Sequence, residues 1–135
     1  MLYAYMSAAC IRASNEVIPL TPTQPLSPVD FHVLLVLAAQ DLYGYAILKA
    51  VSEESGGAVE PDIGSLYRVL SRLTGLGYVE EVPPPADAGS NHRGRPRRYY
   101  HLTEAGARML EADARRLAHA LHLARERHVA GGAGA

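Results

Sequence analysis

The stretch from Asp62 to Glu81, DIGSLYRVLSRLTGLGYVEE, constrains the fold of this 135-residue chain more than any other. Its apolar residues recur at the spacing of one helix face. They are Leu66, Val69, Leu70, Leu73 and Leu76. An oxygen of Asp62 or Ser65 can cap the helix start, and Gly75 and Gly77 favour its end, because glycine readily adopts the left-handed conformation found there. The stretch therefore predicts an amphipathic helix that leads into a strand.

The opposite face of this predicted helix is polar. Ser65 and Tyr67 lie near its start, and Arg68 and Arg72 follow one and two turns later. Such a surface can enter the major groove of DNA, where an arginine can pair with guanine through two hydrogen bonds. We therefore take these four residues as candidate base contacts.

The elements on either side predict a winged helix-turn-helix unit over residues 27–102. Ser27 and Pro28 begin a first helix that is apolar nearly all round, and a second helix follows from about Gly44 to Ser55. After the opening stretch, strands are predicted at Tyr78–Val82 and Arg97–Leu102, with a Pro/Gly-rich loop between them. The expected fold class is mainly α with a small β-hairpin.

The two ends of the chain are predicted to lack a fold of their own. Residues 1–26 run into VIPLTPTQPLSP, which holds four prolines and so disfavours regular structure. We interpret residues 1–26 as a flexible extension; a start codon placed too early, or an arm in which Arg12 reaches DNA, are the alternatives. Residues 129–135 are a Gly/Ala tail and are predicted to be disordered.

Residues 103–128 predict one long helix that Thr103 caps. Its small and apolar residues alternate three and four positions apart, which is a heptad seam. The seam consists of Ala107, Leu110, Ala114, Leu117, Leu121, Ala124 and His128. A helix of this length extends past a compact core, so we predict dimerisation through Leu110, Ala114, Leu117, Leu121 and Ala124. The alternative is that the helix folds back over the first helix.

Positive charge is concentrated in one region although the net charge is −1. Four arginines and two histidines, with no acidic residue, lie between Asn91 and His101. Arg93 and Arg95 are expected to enter the minor groove or bind phosphates, and Arg97 and Arg98 to touch the DNA backbone. A local basic patch on a nearly neutral protein is typical of a sequence-specific DNA-binding module.

Other features exclude several classes of protein. The single cysteine, Cys10, allows neither an intrachain disulfide nor a cysteine-based zinc site, and no apolar run approaches the ~18 residues of a transmembrane helix. No signal peptide is predicted, so the expected location is the cytoplasm. No spacing of Ser, His and acidic residues suggests an enzyme, and no cofactor is expected. His119 and His122 could bind a metal across a dimer, but a solvated helix face is the favoured interpretation.

The motifs GSLYRVLSRLTGLGYVEE and GRPRRYYHLTEAG together resemble the PadR family of bacterial transcriptional regulators. The family pattern is a Gly-Ser/Thr-Leu-Tyr recognition helix that ends in Arg-Leu, and a wing that ends in Arg-Arg/Lys-Tyr-Tyr followed by Leu-Thr and Gly. Tyr43-Gly44-Tyr45 matches a further family motif in the second helix. Ala46 and Thr74 stand where the family usually has acidic residues, and neither position is an expected base contact.

The resemblance implies a homodimeric winged helix that binds double-stranded DNA at a palindromic operator as a repressor. The single helix after the wing is similar to the shorter subclass of the family. Relatives are often released from DNA by small aromatic or cationic inducers, but this chain has no Trp and so lacks the tryptophan pair with which some short relatives trap drugs. A winged helix for protein–protein contact and a metal-responsive winged-helix sensor are the alternative functions.

Overall fold

The computed structural model describes residues 12–13, 16–17, 24–86 and 98–128. Four helices and five short strands lie in these ranges. In chain order they are β1 (Arg12–Ala13), β2 (Glu16–Val17), α1 (Pro28–Ala39), β3 (Leu42–Tyr43), α2 (Gly44–Glu54), α3 (Ile63–Gly75), β4 (Val79–Val82), β5 (Tyr99–Leu102) and α4 (Glu104–Glu126). The predicted fold class, a mainly helical winged helix with a long C-terminal helix, is confirmed.

Helices α1, α2 and α3 enclose one apolar core. The side chains at its centre are Val33, Leu34, Ile47, Val51, Leu66, Leu70 and Leu73. Burying a leucine or valine of this kind contributes about 1.5–3 kcal/mol. The expectation that Leu76 also faces the core is wrong: it lies past the end of α3 and its side chain is exposed.

The helix starts predicted from sequence carry side-chain caps. The Ser27 hydroxyl accepts from the Asp30 amide at 3.2 Å, and the Asp62 carboxylate accepts from the Ser65 amide at 2.7 Å. That hydrogen bond is the main reason the pKa of Asp62 lies below its usual range. At the other end of α3, Gly77 has φ +83°, the left-handed conformation expected of a glycine just past a helix.

The sheet has three strands where the sequence predicted two. β5 lies in the centre, with β4 on one side and β3 on the other, and both pairings are antiparallel. The register sets Leu42 opposite Tyr100 and Val82 opposite Tyr99. The sequence did not predict β3, because two residues are too few to show an alternating pattern.

Helix α4 leaves the sheet at Thr103 and packs along α1. Leu110, at the end of its second turn, joins the core, whereas Leu117 and Leu121 are 42% and 44% exposed. The described part of α4 therefore has a covered first half and an open second half.

Part of the predicted extension over residues 1–26 is described, and it forms two short strands. Strands β1 and β2 pair antiparallel, with Arg12 opposite Val17. Residues 129–135 lie outside the described residues, so the domain boundaries stay a prediction. No helix in the described ranges is both long and apolar enough to cross a membrane.

Candidate nucleic-acid interface

Three of the predicted DNA contacts lie in the first half of α3. Tyr67 and Arg68 are exposed and Ser65 is half-buried. The Arg68 guanidinium donates to the Ser65 hydroxyl at 3.0 Å, so the two side chains form a linked polar pair close to the helix start. Because helix α3 is anchored by its buried leucines, this pair is presented on a rigid element.

Tyr67 is held against the start of α2. A Cβ atom added to Gly44 would lie only 2.9 Å from Cζ of Tyr67, and closer still to its hydroxyl oxygen. A side chain at residue 44 would therefore have to displace the ring of Tyr67 from this position. In the sequence, Gly44 was recognised only as part of a family motif, and no physical reason for a glycine at this position was apparent.

Arg72 makes a different set of contacts from the one that the sequence suggested. Its Nη1 donates to Oδ2 of Asp30 at 2.9 Å, and its Nη2 donates to Oδ1 at 2.7 Å. Asp30 lies in the first turn of α1 and is only 6% exposed. Hydrogen bonding to Asp30 raises the pKa of Arg72 above its ordinary value. In the structure the guanidinium is thus paired within the chain, and the predicted base contact of Arg72 stays a prediction.

The base of the wing is fixed by aromatic side chains. Tyr100 is buried, and burial is the main reason that the pKa of its hydroxyl is raised. Tyr99 meets Tyr43 edge to face, with ring centroids 5.5 Å apart. On the same strand, Nδ1 of His101 lies 2.7 Å from Oδ1 of Asp41. The contacts of Tyr99 and His101 join β5 to β3, which leads into α2.

Of the four predicted wing arginines, the structure describes one. Arg98 is exposed, with Nε 3.5 Å from Oε2 of Glu81, an exposed pair of the kind that contributes at most about 1 kcal/mol. Arg93, Arg95 and Arg97 lie outside the described residues. Arg98 thus remains accessible beside the described end of the wing.

The five predicted dimer contacts fall into two groups. Leu110 is covered by its own chain, so it is a core residue, and its predicted role in dimerisation loses its support. Ala114, Leu117 and Leu121 are exposed, and Ala124 is half-buried. Only the second group presents a surface that a partner could cover.

A metal site was discounted from the sequence. Within the ranges that the structure describes, no three His, Cys, Asp or Glu side chains lie close enough to share a metal ion. His122 lies beside Glu126, with Nε2 and Oε2 3.2 Å apart.

Two buried carboxylates were missed by sequence reasoning. Asp30 and Asp113 are the buried charged residues in the described ranges. Asp113, on α4, pairs with Arg116 at 3.0 Å and accepts from the Leu26 amide at 3.4 Å. Their partners could not be predicted, because a single acidic residue in a helical sequence gives no sign of the residue it pairs with.

The comparisons with known proteins agree with this geometry. The model of the transcriptional regulator PadR-like family matches residues 33–112. No curated protein matches the chain. Among solved structures, a PadR family transcription regulator from Clostridium difficile is 23% identical, with a TM-score of 0.61 over 74% of this chain and 97% of that one.

Two further structures have the same fold. A PadR-like transcriptional regulator from Bacillus cereus is 20% identical, with a TM-score of 0.60 over 76% of this chain and 92% of that one. Bacillus subtilis PadR in complex with operator DNA is 22% identical, with a TM-score of 0.52 over 64% of this chain and 46% of that one. Since the family model spans more than half of the chain, from α1 through the wing into α4, the chain belongs to the PadR-like family of transcriptional regulators and is not an enzyme.

Proposed function

We propose that this regulator binds DNA in a sequence-specific manner, as a homodimer on a palindromic operator, and represses transcription until a small-molecule inducer releases it. The observation that carries the proposal is the linked pair of Ser65 and Arg68 on the exposed first half of α3, with a hydrogen bond of 3.0 Å between them. The second helix of a helix-turn-helix unit enters the major groove by its N-terminal residues. Ser65, Tyr67 and Arg68 occupy that part of α3.

Arg68 is the residue with the chemistry to select a base. A guanidinium presents two parallel donors that match O6 and N7 of guanine. Its bond to Ser65 limits the orientations it can take, so less side-chain freedom is lost on binding. Tyr67 is exposed beside it and can contact a neighbouring base or phosphate.

The wing supplies the contacts that do not depend on sequence. Arg98 is exposed, and we assign Arg93, Arg95 and Arg97 to the same role from their positions in the chain. Phosphate contacts set the orientation of the protein on the duplex and make binding sensitive to salt. Arg98 would exchange its weak pair with Glu81 for a phosphate.

Dimerisation is assigned to the second half of α4. Leu117 and Leu121, one turn apart, expose their apolar side chains, and a second copy of the same helix would cover them. A twofold dimer matches a palindromic operator because both have the same symmetry. One of the similar structures is a PadR in complex with operator DNA, which supports operator binding by this chain. We place this activity in the cytoplasm.

The proposal can be tested by selection of duplexes from a random-sequence library with the purified chain. We expect enrichment of one inverted repeat. On that duplex, Arg68→Ala should weaken binding by about 1–3 kcal/mol and relax the preference at one base pair in each half-site. The matched control is Arg108→Ala, which removes an exposed arginine paired with Glu104 on α4 and should leave affinity unchanged. A library that shows no enrichment would indicate a winged helix used for protein contact.

A further inference from the structure

We infer that Asp30 and Arg72 are a positioning pair, which holds α3 at the angle that DNA binding requires although neither residue touches a base. This rests on the proposed function, since it assigns the pair a part in DNA binding. It also removes Arg72 from the base contacts that its position on the helix suggests. The affinity of the protein for its operator should then depend on a carboxylate located on a different helix.

The geometry of the pair favours a structural role for Arg72. Two nitrogens of one guanidinium meet two oxygens of one carboxylate, at 2.9 and 2.7 Å. This is the two-bond arrangement in which arginine binds carboxylates most strongly and with a defined orientation. An arginine that bound guanine in the same manner would have to release Asp30 first.

Burial makes that release unfavourable. The side chain of Asp30 is 9% exposed, whereas that of Arg72 is 51% exposed. A carboxylate removed from water needs its partner, because a buried charge without one loses far more solvation than it regains. Without its partner, Arg72 could be solvated by water at little cost in free energy, whereas the buried Asp30 could not. The pair is therefore maintained because the buried carboxylate of Asp30 is too little exposed for water to replace Arg72.

Asp30 is itself held in a fixed position. It lies in the first turn of α1, and its amide donates to the capping hydroxyl of Ser27 at 3.2 Å. The helix dipole favours a negative charge at this end of α1. Arg72 lies in the last turn of α3, so the pair joins the C-terminal end of the recognition helix to the N-terminal end of α1.

Arg68 and Arg72 thus have different roles although both lie on one face of α3. Arg68 bonds to Ser65 on its own helix and stays exposed, near the end that enters the groove. Arg72 bonds across to α1, one turn further from that end. A residue one turn along can change affinity by tilting α3, since base contacts tolerate little misplacement.

A double-mutant cycle on the duplex that the wild-type chain selects tests this inference. Asp30→Asn keeps the shape of the side chain and removes its charge, and Arg72→Gln replaces the guanidinium by a shorter, uncharged polar group. We expect each to weaken binding by a similar factor, on the order of 10-fold, and the double variant to bind no more weakly than the weaker single variant. The relative preferences at every base pair should stay as in the wild-type chain. Arg68→Ala, which is expected to alter one preference, is the control.

Results that would overturn the positioning role differ from those that would overturn the proposed function. A changed preference at one base pair in Arg72→Gln, or a double variant whose loss is the product of the two single losses, would overturn the inference and return Arg72 to the base contacts. If Arg72→Gln unfolds, which thermal melts followed by circular dichroism would reveal, Asp30→Asn alone decides. That change frees Arg72, so wild-type affinity in Asp30→Asn contradicts a positioning role. Failure of the wild-type chain to enrich any duplex would instead overturn the proposed function, and the inference with it.

Discussion

The two halves of helix α4 carry the same heptad pattern but have opposite environments. In the first half, Gly106 lies so close to the backbone of Tyr78 that an added Cβ would collide with it, and Leu110 is part of the core. In the second half, Leu117 and Leu121 are exposed. A heptad pattern shows that a helix face is apolar, but it does not show whether the same chain or another one covers that face.

The same comparison explains why one helix can serve two purposes. The first half belongs to the fold of the monomer, since it packs on α1 and begins directly after the sheet. The second half presents a separate apolar surface at Leu117 and Leu121. Substitutions in the first half should therefore change the stability of the monomer, and substitutions in the second half should change association.

The largest effect is expected from Leu110→Ala. This change removes most of a side chain that is 9% exposed and leaves a cavity, so the free energy of unfolding should fall by about 2–5 kcal/mol. Denaturant titration at several protein concentrations would measure it. The matched control is Leu117→Ala, seven residues along the same seam. If Leu117→Ala lowered the stability of the monomer as much as Leu110→Ala, the two halves of α4 would not differ as described.

Leu117→Asp should have the next largest effect, and on association alone. A charge placed in an apolar interface loses its hydration without gaining a partner, so the dimer should weaken by about 3 kcal/mol. Sedimentation velocity should then detect monomers with the far-ultraviolet circular dichroism of the wild-type chain. Arg115→Ala, off the seam and exposed, is the control and should remain dimeric. A dimer that survives Leu117→Asp would assign the interface to another surface.

A smaller effect is expected at the boundary between the two halves. Asp113 is 3% exposed, pairs with Arg116 and accepts from the Leu26 amide. Asp113→Asn keeps the shape but removes the charge, and should reduce the free energy of unfolding by about 1–3 kcal/mol. Glu111→Gln, which weakens the exposed pair with Arg115, should change it by no more than about 0.5 kcal/mol. Equal effects of the two changes would mean that burial of Asp113 does not matter.

The sequence predicted the helices well because their signals are local. Ser27, Asp62 and Thr103 are capping residues, and each accepts a hydrogen bond from the amide three positions later, as the sequence suggested for the helix starts. The buried leucines of α3 also follow from helical spacing alone. Periodicity and capping need no knowledge of distant residues, which is why they could be identified in advance.

Contacts between distant residues could not be predicted in this way. Arg72 and Asp30 are 42 positions apart, and nothing in either local pattern indicates their pairing. Arg72 has the spacing of a base contact because it shares a face of α3 with Arg68. Likewise, β3 is too short to show a pattern, and its two residues become a strand only because β5 offers them backbone partners.

In the proposed complex, two chains joined through the second half of α4 bind two operator half-sites with their α3 helices. The most direct test is the mass of the complex between the wild-type chain and the selected duplex, measured by sedimentation equilibrium. We predict two chains per duplex, on an inverted repeat with half-sites about one helical turn apart or a multiple of it. One chain per duplex, on a sequence without an inverted repeat, would contradict the account.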